Sequence, residues 1–200
     1  MNKGVLIGLS IAGFFILLLL ILFSWGKNNY NSMVTYDEAV SQAWANVESQ
    51  YQRRSDLIPN LVATVKGYAT HENTTLTEVI EARAKATQVT VDPTHLTPEK
   101  LADFQAAQSQ VGSAIGRLLV SVEAYPNLKA NENFKELQAQ LEGTENRISV
   151  ERQRFNDAAK AYNVIIRRFP SNIIASMTGF EKKAYFEAEA GSEKAPEVKF

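Results

Sequence analysis

The chain has no cysteine and only two histidines among its 200 residues. The missing cysteine excludes a disulfide scaffold, a thiol nucleophile, a zinc–thiolate site and lipidation on cysteine. Two histidines leave little material for a metal centre or for histidine-based catalysis. The net charge of −1 and the pI near 6.2 disfavour nucleic-acid binding, which usually needs a strongly basic domain. We therefore expect no metal, no cofactor and no nucleic-acid partner.

Charge is also missing from one long stretch, because no charged residue lies between Lys3 and Lys27. Residues 5–25 are apolar or glycine apart from two serines, and Trp25 ends the run. About 20 apolar helical residues cross a bilayer, so residues 1–29 are predicted to form a transmembrane anchor in contact with lipid. The alternative is a cleaved signal peptide, but the run exceeds the 7–15 apolar residues typical of one.

The flanking charges favour one orientation of this anchor only slightly. Lys3 and the α-amine lie on one side, whereas Lys27 lies on the other and is followed by Asp37 and Glu38. By the positive-inside rule we expect a cytoplasmic amino terminus and an external domain, and the opposite topology stays open.

A second feature of the anchor is its spacing of small residues. Gly4, Gly8 and Ala12 share one helix face, where a second helix could pack closely. This face predicts a homo-oligomer, although small residues are also common in membrane helices that do not associate.

The rest of the chain has helical periodicity and almost no strand-like alternation. Apolar residues recur every three or four positions in four segments. The predicted helices are 36–68, 76–89, 98–124 and 131–169. Thr97 and Asn131 are the expected N-caps, and Tyr125-Pro126-Asn127 is expected to form a turn. Pro59 either kinks the first helix or starts a new one capped by Ser55 or Asp56. The predicted fold is all-α: a transmembrane helix and an elongated antiparallel bundle of three to four helices over residues 30–170.

Residues 171–200 form a third segment with a different character. Ser171 or Asn172 is expected to cap a short helix that runs to Met177 and is broken by Gly179, and residues 195–200 are expected to be extended. Its aromatic residues either pack on the bundle or form a docking surface. The candidate interaction surface comprises Arg53, Arg54, Asp56, Phe180, Tyr185 and Phe186.

No known catalytic motif is complete in the sequence. His71-Glu72 begins like a zinc-protease motif, but position 75 is threonine, and Asp92-x-x-His95 is a single copy in a proline loop. Gly112 and Gly116 lack a phosphate-binding context and are expected to allow close helix packing. We expect that the protein is not an enzyme. The charged residues along the helices are expected to form solvated faces and surface ion pairs. Two alternatives stay open: a buried arginine–carboxylate pair that fixes helix register, or a site built from Glu48, Glu145 and Arg147.

Several multi-residue blocks occur in the order found in one bacterial family. They include Trp44-Ala45-Asn46-Val47-Glu48, Tyr51 to Val62 (YQRRSDLIPNLV), Ala124-Tyr125-Pro126-Asn127-Leu128-Lys129, Ile166-Arg167-Arg168-Phe169-Pro170 and Ala195-Pro196-Glu197-Val198-Lys199-Phe200. With these blocks the chain resembles the LemA family over nearly its whole length. The resemblance implies a bacterial inner-membrane protein with one amino-terminal span, an antiparallel helical bundle and no transferable catalytic residue. It also hints at membrane proteases and cell-envelope stress.

The expected function is therefore a membrane-anchored scaffold or interaction protein at the bacterial cell envelope, able to self-assemble. One alternative is an accessory subunit of a membrane protease or an envelope-stress system. The other is an enzyme or ligand-binding bundle that uses buried glutamate and arginine.

Overall fold

A computed structural model describes residues 3–68 and 73–187. His71, Glu72 and the predicted extended end at 195–200 lie outside these ranges. The described part is helical and contains no β-strand. Its helices are α1 (Lys3–Lys66), α2 (Asn73–Gln88), α3 (Pro98–Val122), α4 (Pro126–Ala130), α5 (Glu132–Arg167) and α6 (Ser171–Thr178), and a 3₁₀ turn covers Pro93–His95. The predicted all-α fold is confirmed.

The anchor and the first bundle helix are one continuous helix, α1. Of the two alternatives for Pro59, the structure shows an unbroken helix rather than a new one. A proline inside a helix removes the amide that would bind the carbonyl four residues earlier, here that of Ser55. The Arg83 Nε on α2 donates to that carbonyl at 2.9 Å. A side chain from the neighbouring helix thus replaces the hydrogen bond that Pro59 removes.

The bundle is formed by α1, α2, α3 and α5, which run alternately away from and towards the apolar segment. The backbone of α1 lies close to that of α5, and α2 lies close to α3. Tyr68 after α1 accepts a hydrogen bond from Asn131 before α5, which shows that this pair is antiparallel. The predicted N-caps Thr97 and Asn131 are confirmed by their hydrogen bonds to backbone amides. The predicted turn at Tyr125-Pro126-Asn127 is instead the start of a short helix, α4, because Pro126 suits its first turn.

The core consists of two apolar clusters along the bundle. The cluster nearer the apolar segment contains stacked and edge-on aromatic rings, among them Trp44, Phe104 and Phe155. The far cluster is mostly aliphatic and includes Leu61 and Leu118. Each cluster contains residues from the predicted apolar stripes of α1, α3 and α5.

After α5 the chain turns back along the bundle. Helix α6 ends at Gly179, whose φ of 79° is the left-handed conformation that glycine adopts freely. Ser171 does not cap α6 as expected, because its hydroxyl donates instead to Asn29 on α1 at 2.7 Å. Residues 181–187 then run along α5 without regular secondary structure and are called the extended segment here. Two asparagines of α5 hold it. Asn163 binds the backbone amide and carbonyl of Lys183, and Asn156 binds those of Phe186.

Candidate interaction groove

Arg54, expected on the surface, is a buried residue at the centre of the bundle. Only 3% of it is exposed. Its Nη1 donates to Glu145 Oε1 at 2.7 Å, and its Nη2 donates to both the carbonyl and the side-chain oxygen of Gln108. The guanidinium also lies over the Tyr51 ring, 5.0 Å from its centre. A guanidinium has five donors in a fixed fork, which explains how it is accommodated away from water. The expectation that Arg54 forms part of the surface is therefore wrong.

The polar group around Arg54 lies between the two apolar clusters. Tyr51, one turn before it, belongs to one cluster, whereas Ile58, one turn after it, belongs to the other. The bundle therefore contains a buried arginine with a carboxylate partner, Arg54 with Glu145. This pair is one of the alternatives predicted from the sequence. Because the partners of Arg54 lie on α3 and α5, sliding either helix by one turn would remove one of the two partners of the guanidinium.

A groove of about 440 Å³ opens beside this arginine, between α3 and α5. The backbones of α3 and α5 approach each other closely at few points, unlike those of the α1–α5 and α2–α3 pairs. One wall is small and polar, the floor is partly apolar, and the other wall is charged. The lining residues are Tyr51, Arg54, Gln105, Gln108, Ser109, Gly112, Ser113, Ile115, Gly116, Leu119, Leu141, Glu142, Glu145, Ile148 and Arg152.

The two glycines of α3 create this space rather than a close helix contact. A Cβ added at Gly116 would have no atom within 4 Å, and one at Gly112 would lie 3.6 Å from the Arg54 guanidinium. The expectation that they allow close helix packing is wrong, because α5 does not approach them. With Ser109 and Ser113 they form a wall of small residues along α3.

One end of the groove, at Gln105 and Arg152, receives the chain's own backbone. Both side chains line the groove, and both donate to the carbonyl of Glu187, at 2.9 Å each. The Glu187 carbonyl, in the last described residue of this segment, therefore lies at one end of the groove. Gln105, Gln108, Ser109 and Ser113 were not among the residues predicted from the sequence to form a site. The sequence did contain an indication of this wall: two pairs of small residues spaced four apart, at positions 109 and 113 and at 112 and 116.

The site proposed from Glu48, Glu145 and Arg147 does not assemble. Glu145 lines the groove, whereas Glu48 lines a separate pocket of about 110 Å³ between α1, α2 and α3. Arg147 lies on the exposed face of α5. Arg147 follows Glu145 by only two residues, which places it on a different face of α5, and Glu48 lies on α1.

The residues of the candidate interaction surface do not form one surface in the structure, because some are exposed and others are buried. Arg53 and Asp56 are exposed on α1, and Asp56 accepts a hydrogen bond from Gln52. Phe186 is not a surface residue, because its ring packs on Trp44 and Phe155. Phe180 is half-buried against the Tyr30 and Tyr162 rings. Tyr185 is 38% exposed, and its hydroxyl accepts a hydrogen bond from Asn163. The sequence left two alternatives for the aromatic residues, packing on the bundle or forming a docking surface. Phe186 packs on the bundle.

A buried lysine fixes the same segment near the start of the bundle. Lys183 Nζ lies 2.9 Å from Asp37 Oδ1 and donates to the Thr94 carbonyl at 2.8 Å. It also lies over the Tyr162 ring. Burial, with the negative charges of Asp37 and Glu181, raises the pKa of the Tyr162 phenol above its ordinary value of 10.0. These contacts join α1, the loop before α3, α5 and the extended segment.

The isolated Asp92-x-x-His95 motif is a cap for the 3₁₀ turn. Asp92 accepts hydrogen bonds from the hydroxyl and amide of Thr94 and lies 3.2 Å from His95 Nδ1. The Thr94 hydroxyl, then its amide, then His95 lower the pKa of the Asp92 carboxyl to about 2. Within residues 3–68 and 73–187, no three histidine or carboxylate side chains converge as metal ligands would.

The predicted packing face of the anchor is open in this single chain. A Cβ placed at Gly4 or Gly8 would have no atom within 4 Å, and Ala12 is exposed. The surrounding segment has a mean hydropathy of 3.0 and none of it is buried, so it is long and apolar enough to cross a membrane.

Comparison with known proteins gives a consistent result. Magnetosome protein MamQ of Magnetospirillum gryphiswaldense is 29% identical over 81% of this chain, and MamQ 1 of Paramagnetospirillum magneticum is 29% identical over 79%. Protein LemA of Metamycoplasma hominis is 26% identical over 88% of this chain and 76% of its own length. The chain spans 64–66% of the MamQ proteins. The sequence profile of the LemA family matches residues 43–200, well over half of the chain. This membrane-associated helical protein therefore belongs to the LemA family.

Proposed function

We propose that this protein is a membrane-anchored interaction protein, not an enzyme, and that its α3–α5 groove binds an extended segment of a partner membrane protein. The observation that carries the proposal is the open groove beside the fixed guanidinium of Arg54. Helix α1 runs without interruption from the apolar segment into the bundle, so a spanning α1 holds the groove at a set distance from the bilayer.

The shape of the groove suits an extended chain. The protein's own extended segment reaches the groove with its backbone carbonyl at Glu187 bound by Gln105 and Arg152. Beyond that point the small wall of α3 leaves room for side chains, and Gln108 and Arg54 provide polar groups on the floor. Main-chain hydrogen bonds with pockets for side chains are a common way to bind extended peptides.

A photo-crosslinking amino acid at Ser113 tests this proposal in native membranes. We expect one partner peptide to be captured repeatedly and identified by mass spectrometry. The Gly116→Leu variant fills open space in the groove and should abolish that crosslink. The matched control is Val120→Leu, one turn further along α3, where the side chain is 73% exposed.

Three results would contradict the proposal. Crosslinks to residues 188–200 of the same chain would show that the groove belongs to its own carboxyl end. Crosslinks to many unrelated proteins, or a partner crosslink that survives Gly116→Leu, would show that the groove does not select a partner.

Self-association through Gly4, Gly8 and Ala12 is the second part of the proposal. A bulky residue on this face should separate the helices, since small residues permit their close approach. Energy transfer between labelled chains in vesicles should fall for Gly8→Leu and persist for Gly13→Leu, which changes another face of the same helix. Equal transfer in both variants would exclude this face.

For location we propose the bacterial inner membrane, with the amino terminus in the cytoplasm and the bundle outside. The support is the small difference in positive charge between the two sides of residues 5–25, with Lys3 and the α-amine on one side and Lys27 on the other. The positive-inside rule counts lysine and arginine within about 15–20 residues of a span. The exposed Ser149→Cys introduces the only thiol of the chain. A membrane-impermeant maleimide should label it in intact spheroplasts. Labelling only after lysis would establish the opposite topology.

A further inference from the structure

Three large apolar side chains near the end of α5 and on α6 face solvent. Phe169, Ile173 and Met177 are 78%, 51% and 81% exposed. They recur at four-residue intervals, and Ile173 and Met177 therefore lie on one face of α6. Their opposite neighbours, Ser171 and Ala175, are buried against the bundle. Large apolar groups that are exposed side by side usually mark a contact surface.

The position of this face relative to the apolar segment is fixed by contacts with α1. The Ile174 Cδ1 lies 3.8 Å from the position of a Cβ at Gly26, and Ser171 binds Asn29. The Phe180 ring, just after α6, lies 5.7 Å from the Tyr30 ring. Gly26 directly follows the apolar run, and a helix rises 1.5 Å per residue. Helix α6 therefore lies within about one turn of the end of that run.

The surrounding charges are complementary to an anionic surface. Arg167 and Arg168 immediately precede Phe169 and are exposed, and Lys27 is exposed on α1 directly after Gly26. Apolar side chains next to arginine and lysine are typical of helices that lie in the headgroup region of a membrane. Trp25 and Tyr30 are aromatic residues of the kind found at this depth.

We infer that α6 is an interfacial membrane helix. Phe169, Ile173 and Met177 insert at the boundary between headgroups and acyl chains, and Arg167 and Arg168 bind the phosphates of anionic phospholipids. The inference rests on the proposed span of α1. It adds a second contact with the bilayer, about one helix width from the first. Two contacts fix the tilt of the bundle and thereby the direction in which the α3–α5 groove opens.

The absence of native cysteine makes a direct test possible with the full chain in vesicles. An environment-sensitive nitrobenzoxadiazole dye is attached to Met177→Cys, to Leu17→Cys within the apolar run, or to Val120→Cys at the far end of α3. The vesicles contain phosphatidylcholine with or without phosphatidylglycerol, at a low ratio of protein to lipid. Lipids with a nitroxide at the headgroup or along the acyl chain serve as quenchers.

We expect the dye at position 177 to emit at shorter wavelength than the dye at position 120 and to be quenched most by headgroup nitroxides. Phosphatidylglycerol should strengthen the quenching, and the paired substitution Arg167→Gln and Arg168→Gln should remove that dependence. The dye at position 17 should be quenched by acyl-chain nitroxides in every vesicle. Replacing Phe169 and Ile173 by serine should weaken quenching at 177 without changing the melting temperature in detergent, because both side chains are exposed.

The outcomes separate this inference from the proposed span. Water-like emission at 177 with lipid quenching at 17 would overturn the interfacial helix and leave the span intact. Loss of quenching at 17 would overturn both. A blue shift at 177 without lipid quenching would show that protein covers this face, which also overturns the inference.

Discussion

At the scale of single residues, Arg54 shows how a buried charge is tolerated when all its partners are fixed. Arg54→Ala is expected to destabilise the fold by about 3 kcal/mol, because it removes the guanidinium and leaves Gln108 and Glu145 without their donor. Glu145→Gln is expected to cost less than about 1 kcal/mol, since 47% of the Glu145 side chain is exposed and an amide oxygen can still accept. Urea unfolding of the full chain in detergent measures both. Equal costs would show that the ion pair, not the Gln108 contact, holds Arg54.

The contact between Arg83 and Ser55 is a residue-scale prediction with its own control. Arg83→Met should cost about 1–2 kcal/mol in the native chain, because the Ser55 carbonyl then has no donor. In a Pro59→Ala background the backbone amide of residue 59 can bind that carbonyl, so the same substitution should cost less. The difference is measured by a double-mutant cycle on unfolding free energies. Additive costs would contradict the compensating role of Arg83.

At the scale of elements, two glycines are expected to respond in opposite directions to the same substitution. Gly116→Ala should stabilise α3 by about 1 kcal/mol, since a helix favours alanine and the added methyl has open space. Gly179→Ala should destabilise by about 1 kcal/mol, because its φ of 79° is unfavourable for a residue with a Cβ. Melting temperatures in detergent provide the comparison. A fall for Gly116→Ala would mean that the groove is narrower than described.

Helix boundaries were well predicted where a local chemical group marks them. Thr97 with Pro98, and Asn131, carry their capping role in their own side chains. The start of α6 was predicted near Ser171, where the helix begins. The capping role of Ser171 was predicted wrongly, because its hydroxyl binds Asn29, 142 positions earlier in the chain. A turn was predicted at Pro126, where the structure has the short helix α4. The reason is related, because α4 is stabilised by Leu128, a side chain fully buried in the far cluster.

At the scale of the whole molecule, the extended segment after α6 closes the bundle. Phe186 joins Trp44 of α1 and Phe155 of α5, so it connects three distant parts of the chain. Phe186→Ala should destabilise by about 3–5 kcal/mol through the lost burial and the cavity it leaves. Tyr185→Ala, beside it but partly exposed, should cost clearly less. Unfolding monitored by tryptophan fluorescence reports on both variants, and equal costs would contradict a core role for Phe186.

The sequence by itself determined the helical class, the long apolar segment and the stripes that form the core. These follow from local rules: the period of apolar residues, the minimum length of a span and the chemistry of caps. Only the tertiary structure decided that Arg54 is buried, that Gly112 and Gly116 border a groove, and that α6 packs against α1 at Gly26 and Asn29. Those facts depend on which helices become neighbours and how closely they approach, and spacing along one helix carries no information about the distance to another.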